Sequence, residues 1–226
     1  PFTFISIAGG ILGAAFSEIY RVTSRFRRHL GRFELVDVAA MTVLSSLVAF
    51  IAPVLWGVCI PLPPSWEGNS EVAVQFQCPT SQYNDMATAF LSYREGVISA
   101  FLEIRSDSFA DRFSHQTLLF FTILFMVLMV LSYGTAVPSG LFMPLILVGA
   151  SGGLLCGLSL MTLLEHFNID TSSMSPGLYG LVGAASMLGG TFRSSISLVV
   201  ILLEGTGAVQ FLLPILLTVT IAKWVG

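Results

Sequence analysis

Between Thr117 and Leu164 the chain runs for 48 residues without one charged side chain. A single helix of that length would extend ~72 Å, whereas the hydrocarbon core of a bilayer is ~30 Å thick. The run has to break, and its middle, Ser132 to Pro144 (SYGTAVPSGLFMP), holds the residues that do this. Pro138 disfavours helix at Val137. Gly134 and Gly140 open backbone angles that other residues resist. Pro144 is tolerated in the first turn of a new helix. A helix starting at Gly140 or Leu141 follows from this pattern. Its first N–H groups have no partner within the helix, and the positive end of the helix dipole lies there too. Such an end binds an anion without any basic side chain. Two arrangements satisfy the break. One is a tight hairpin at the membrane surface with its amides wetted by water. The other is a break inside the membrane, which is tolerated only where the backbone lines a cavity or is buried in protein. The helix before the break, Leu118 to Leu131, reaches only ~21 Å and argues for the second. Discontinuous helices of this kind mark transporter binding sites.

Composition agrees with a membrane setting. Apolar residues make up 54% of the chain and charged residues 10%, against about 25% charged in soluble domains. Pro1 to Ser17 and Val38 to Trp66 are further stretches without charge. A soluble domain of this size could not bury all three, but a bilayer accepts them. The net charge of -3 is too small to point to nucleic acid. There is no basic leader or small-residue cleavage pattern of a signal peptide. The chain opens inside a hydrophobic segment and stops at Lys223 to Gly226, so the expectation is a piece of a longer polypeptide.

The helical candidates are Thr3 to Val22, Leu35 to Trp56, Asp85 to Arg105 (polar on one face, an interfacial helix), Leu118 to Leu131, Leu141 to Leu164, Pro176 to Thr191, Ser195 to Glu204 and Phe211 to Val225. Several are too short to span and reach only part of the way. Arg21, Arg25, Arg27, Arg28 and Arg32 crowd the link between the first two helices, which the positive-inside rule places in the cytoplasm. The loop at about 57–84 then lies on the outer or luminal side. Counting crossings returns Arg193 and Lys223 to the cytoplasmic side. Cys59 and Cys78 share the proline-rich loop on the oxidising side, where a disulfide between them is expected.

Smaller features have structural readings. Gly9 with Gly13, and Gly149 with Gly153 and Gly157, form small-residue faces that let helices approach closely. Glu204 marks a membrane surface or a helix end. Arg193, Glu18, His115 and His166 read as interfacial anchors. Cys156 reads as a small packing residue. No His, Cys, Asp or Glu cluster has metal-site spacing, and no organic cofactor is implied. Gly149 to Gly152 resembles the GxSG of rhomboid intramembrane proteases, with Ser151 as nucleophile. That serine needs a base within hydrogen-bond reach. The only later histidine, His166, would lie roughly 22 Å along the same helix. A packed small-residue face is the stronger reading. A purely structural membrane module would explain the glycine faces but not a broken helix with free amides.

Gly140 to Pro144 (GLFMP) resembles the GxFxP motif of the CLC family of chloride channels and exchangers. The resemblance continues in Cys78-Pro79 with Gln82 to Thr88, in Tyr133 to Gly140, and in Gly177 to Tyr179 with Gly183 to Ser186. Arg193, Leu202 to Glu204, Ala222 to Gly226 and Gly9 to Gly13 complete it. It covers nearly the whole chain and matches eukaryotic members. It implies an all-α, polytopic membrane protein of tilted and partial helices, with 1–226 the second inverted repeat of a CLC-type transport domain. It implies chloride transport, as a voltage-gated-type channel or a chloride/proton antiporter, and no enzyme activity. Chloride would be bound by the backbone N–H groups of Leu141 and Phe142, with Gly140, Met143 and Pro144 shaping the helix start. Homodimerisation through helices 195–204 and 211–225 is a further implication, as are cytosolic CBS domains elsewhere in the polypeptide. The family's first chloride loop, gating glutamate, internal proton site and pore tyrosine have no counterpart in this chain. Tyr133, Tyr179 and Tyr93 do not match that tyrosine's context. Channel and exchanger are therefore not separated by these residues.

Overall fold

The computed structural model describes residues 2–28, 34–62, 72–79, 81–102, 113–135, 137, 139–167, 175–194, 196–207 and 209–226. Arg32, Arg105, Pro138 and Ser195, all singled out above, lie outside the described residues, as does His29. The order of elements is α1 (Phe2–Arg28), α2 (Glu34–Trp56), β1 (Cys59–Pro61), β2 (Gln82–Asn84), α3 (Asp85–Leu91) and α4 (Arg94–Leu102). Then come α5 (His115–Ser132), α6 (Phe142–His166), α7 (Pro176–Phe192), α8 (Ile196–Thr206), a turn of 3₁₀ helix at Val209–Phe211, and α9 (Leu212–Val225). Four of these, α1, α2, α5 and α6, are long and apolar enough to cross a membrane. The architecture is all-α and polytopic apart from one small sheet.

Helix α7 is the hub. It is buried along nearly its whole length, and α1, α6 and α9 pack around it. Glycine makes that possible. A Cβ on Gly149 would lie 2.7 Å from the Ala184 Cα, one on Gly157 2.7 Å from the Tyr179 Cβ, and one on Gly13 2.9 Å from the Thr191 nitrogen. Gly153 faces the Tyr179 carbonyl, and Gly183 faces Gly149 and Gly153. The expected small-residue faces are thus backbone-to-backbone seams, where attraction between apolar helices comes from close packing. Cys156, expected to pack, is instead exposed.

The stretch expected to be one interfacial helix, Asp85 to Arg105, is two short helices forming a hairpin. Helix α3 starts beside the first residues of α5, where the Asp85 carboxylate accepts from the Thr117 hydroxyl at 2.6 Å and the Ser114 N–H at 3.3 Å. It ends with Phe90 against Phe121 and Phe125, with ring centroids 5.0 and 6.2 Å apart. Helix α4 starts with Arg94 over the Phe125 ring and returns to place Phe101 against Phe113 and Phe121. The tip therefore reaches Phe125, about ten residues or ~15 Å down α5. The polar residues of the stretch divide: Asp85 and Thr88 serve the interior, while Arg94 and Glu95 at the tip are exposed. Asp85 is fully buried, and also accepts from the Val58 and Met86 N–H groups. Asn84 caps α3 by accepting from the Ala87 N–H.

The loop at 57–84 contains what the sequence reading lacked, an antiparallel pairing of β1 with β2 in the register Cys59 with Asn84 and Pro61 with Gln82. The expected Cys59–Cys78 disulfide is present, with Cα atoms 5.8 Å apart. Helix α2 lies on the outside, with only Ala52 and Pro53 buried among its described residues.

Adjacent glycines of α6 separate the seam from the helix itself. Gly153→Ala should lower the unfolding midpoint in detergent, by at least the ~1–3 kcal/mol of an overpacked contact. Gly152→Ala, whose Cβ would meet only the Thr122 methyl at 3.7 Å, should leave it unchanged or raise it by up to the ~1 kcal/mol of helix propensity. Equal effects of the two variants would show that the seam does not carry the packing.

Candidate functional site

The site is built at the start of α6. Leu141 is the residue before the first turn, and its carbonyl accepts the first intrahelical bond, from the Leu145 N–H at 3.2 Å. The helix thus begins at Phe142, one residue past the predicted start, with Pro144 in the first turn as expected. Pro144 has no N–H to satisfy. Among the described residues, no acceptor meets the N–H groups of Gly140, Leu141, Phe142 or Met143. The Leu141 and Phe142 side chains are half-buried against the main core. Gly140 is exposed, and a Cβ on it would have nothing within 4 Å. Its φ is not positive, so the predicted use of its conformational freedom is not made. What its missing side chain does is leave the front of the amides open.

Depth follows from helix register. Helices α6 and α7 run antiparallel, with Gly149 beside Ala184 and Gly180 beside Leu154. Continued to its end, this register sets Phe142 level with Thr191. Helices α7 and α1 run parallel, with the Phe2 and Tyr179 rings 5.3 Å apart and Gly13 against Thr191. The start of α6 is therefore level with Gly13, inside the apolar Phe2–Arg25 stretch of α1 rather than at its Arg25 end. This register favours the internal break of the two arrangements open above.

The reason differs from the predicted one. Helix α5 is longer than Leu118 to Leu131, running His115–Ser132 for about 27 Å. It does not stop short. Its last turn meets the far end of α1, where the Arg27 guanidinium donates to the Leu131 carbonyl at 2.5 Å. Arg27 Cα lies roughly 21 Å beyond Gly13 along α1. By Leu141 the chain has returned from the Arg27 end of α1 to the level of Gly13. Tyr133 closes α5 with its N–H on the Met129 carbonyl, and its ring lies 4.8 Å from Tyr20 and 6.2 Å from Phe16. Gly134 takes φ 96° close to the Tyr20 ring. Here glycine is required, as predicted.

Phe16, Tyr20, Ser24 and Arg27 form one stripe of α1 facing the end of α5. Their helical spacing was readable, but the sequence reading assigned the arginines only to the cytoplasmic link. Arg193 and Lys223, expected at the cytoplasmic surface, end α7 and α9 beside Gly13 and Gly10, where Gly10 packs on Ala222. Glu204 is exposed in the last turn of α8.

Ser151 is fully buried, donates to the Val148 carbonyl at 3.1 Å and pairs with the Thr122 hydroxyl at 2.8 Å. His115 and His166 sit at the ends of α5 and α6. The serine ties two helices together, and among the described residues no base pairs with it. A fluorophosphonate probe should leave Ser151 unlabelled in the folded protein; labelling there would restore the protease reading.

The chain matches the family model described as voltage gated chloride channel over residues 1–226. It is 36% identical to the chloride channel protein CLC-c of Arabidopsis thaliana over 99% of this chain and 28% of that protein. It is 33% identical to the H(+)/Cl(-) exchange transporter 7 of Homo sapiens, over all of this chain and 27% of that protein. The chain thus spans less than a third of the length of these curated relatives. Among solved structures it is similar to a eukaryotic CLC transporter, with a TM-score of 0.61 and 26% identity over all of this chain and 32% of that one.

Proposed function

Because the chain belongs to the voltage gated chloride channel family, we propose that it forms the second inverted repeat of a transport domain that carries chloride across a membrane. The observation that carries this reading is a helix start level with the apolar stretch of α1, with unpartnered N–H groups among the described residues and open space beside Gly140. The backbone N–H groups of Leu141 and Phe142 hold the ion, and Gly140, Met143 and Pro144 shape the approach. Protein of relatives with both kinds of name, chloride channel and H(+)/Cl(-) exchange transporter, resembles this chain. The proposal accordingly covers a channel and a proton-coupled exchanger.

Magnitudes support a transport site. Two charge-assisted hydrogen bonds contribute about 1.5–3 kcal/mol each, and the helix end adds ~0.3–2 kcal/mol. A millimolar dissociation constant corresponds to ~4 kcal/mol. A site of this strength fills at ordinary chloride concentrations and still releases the ion, as conduction requires. Crystals of the full-length protein grown in bromide should show an anomalous peak within hydrogen-bonding distance of the Leu141 and Phe142 nitrogens. A complete pore with no such peak would refute the site.

The same proposal pairs two copies through α8 and α9, each keeping its own pore. The surface is narrower than the apolar composition of these helices implied. Leu198, Val199, Leu202 and Ile215 are buried within the chain, while Ile196, Ile201, Leu212 and Leu216 are exposed. Tryptophan at both Leu212 and Leu216 should disrupt a packed contact and convert the full-length dimer in detergent to a monomer that still transports chloride. Persistence of the dimer on size-exclusion chromatography with light scattering would exclude these helices as the interface.

A further inference from the structure

Arg27 is the charged group built most deeply into the described bundle near the anion approach. Its side chain is 13% exposed, and it bridges three helices. One guanidinium nitrogen donates to the Leu131 carbonyl at the end of α5, and the other lies 3.1 Å from the Asp37 carboxylate in the first turn of α2. We infer that Arg27, paired with Asp37, is a positioning residue for the anion site, setting the place from which the segment that leads to Leu141 departs.

Two physical arguments carry this. The first is mechanical. The chain leaves α5 through Tyr133 and Gly134, which rest on the same stripe of α1, Phe16, Tyr20 and Ser24, that ends in Arg27. Fixing the Leu131 carbonyl to Arg27 therefore fixes where the re-entrant segment begins. A planar guanidinium holds two partners at once in a set geometry, which an ammonium does not. The second argument is electrostatic. The C-terminus of α5 presents unpaired carbonyls equivalent to about half a negative charge. Arg27 sits on that end, and the attraction holds the end of α5 at this point of α1. Asp37 pairs with the other guanidinium nitrogen at 3.1 Å as an ion pair without hydrogen-bond geometry.

This inference rests on the proposed chloride site, and the two are separable by experiment. The full-length protein is reconstituted in liposomes, and chloride flux is measured against chloride concentration, giving the half-saturating concentration and the maximal rate separately. Arg27→Gln should raise the half-saturating concentration about three- to tenfold, the range expected for a cation at a helix C-terminus, with the maximal rate changed less. Arg27→Lys should recover part of this shift, since it restores charge but not the bridge. Asp37→Asn, which keeps the arginine and frees one of its nitrogens, should shift the half-saturating concentration in the same direction by less. Unchanged half-saturation in Arg27→Gln overturns the inference, as does an equal loss of maximal rate alone in Arg27→Gln and Arg27→Lys. If Arg27→Gln does not fold, Asp37→Asn decides: no shift there overturns the inference. Absence of saturable chloride flux in the unsubstituted protein would instead remove the proposed function.

Discussion

A backbone N–H or C=O in hydrocarbon has no water to bond, so every break in a membrane helix has to be shielded by protein or open onto a wet cavity. Two of the breaks among the described residues are handled differently. The α3–α4 hairpin is satisfied by side chains. Asn84 caps α3, and buried Asp85 gathers the Val58, Met86 and Ser114 N–H groups and the Thr117 hydroxyl. The second break, between α5 and α6, is satisfied on one side only. Arg27 and the Tyr133 N–H take carbonyls of α5, while the amides opening α6 are left to an outside acceptor. The asymmetry separates a structural device from a binding one.

Leaving amides free is tolerable only if the helix that carries them cannot move to cover them. The glycine seams provide that rigidity. With α6 against α7 at backbone contact, and α7 against α1 in the same way, a slide of α6 along its axis would bring carbonyls and Cβ atoms into collision. Close-packed interfaces of this kind are bistable rather than continuously deformable. The Ser151–Thr122 hydroxyl pair adds a directional tie to α5. The polar residues inside the bundle thus fix register, which sets the depth of the α6 start.

Much of this was readable in the residues. The uncharged run, Gly134, Pro138 and Pro144 located the break, and the spacing of Gly149, Gly153 and Gly157 identified the seam. The Cys59–Cys78 bridge followed from topology. What was not readable depends on contacts far apart in sequence. Periodicity reports that Asp85 to Arg105 has a polar side, but it cannot say whether that side faces water or the interior. Nor does it separate Ile215, buried on α7's side of α9, from exposed Leu216 beside it, because lipid and protein select the same apolar residues. Arg27 was assigned to the cytoplasmic link on charge alone. Its partner carbonyl on Leu131 carries no side-chain signature at all.

That last point extends to the anion site itself. Backbone amides are present at every non-proline residue, so what distinguishes Leu141 and Phe142 is geometry. Their side chains pack against the core and are free to be apolar, which keeps a fixed positive charge out of the membrane interior, where it would be costly. A lysine or arginine in their place would bind an anion more tightly and release it more slowly. A helix start supplies partial charges that are already oriented, need no counter-ion, and lose no rotamer freedom when the ion arrives. Under the proposed function, anion binding is then controlled by whatever fixes the backbone, and the seams and the Arg27 bridge bear on it as much as the motif.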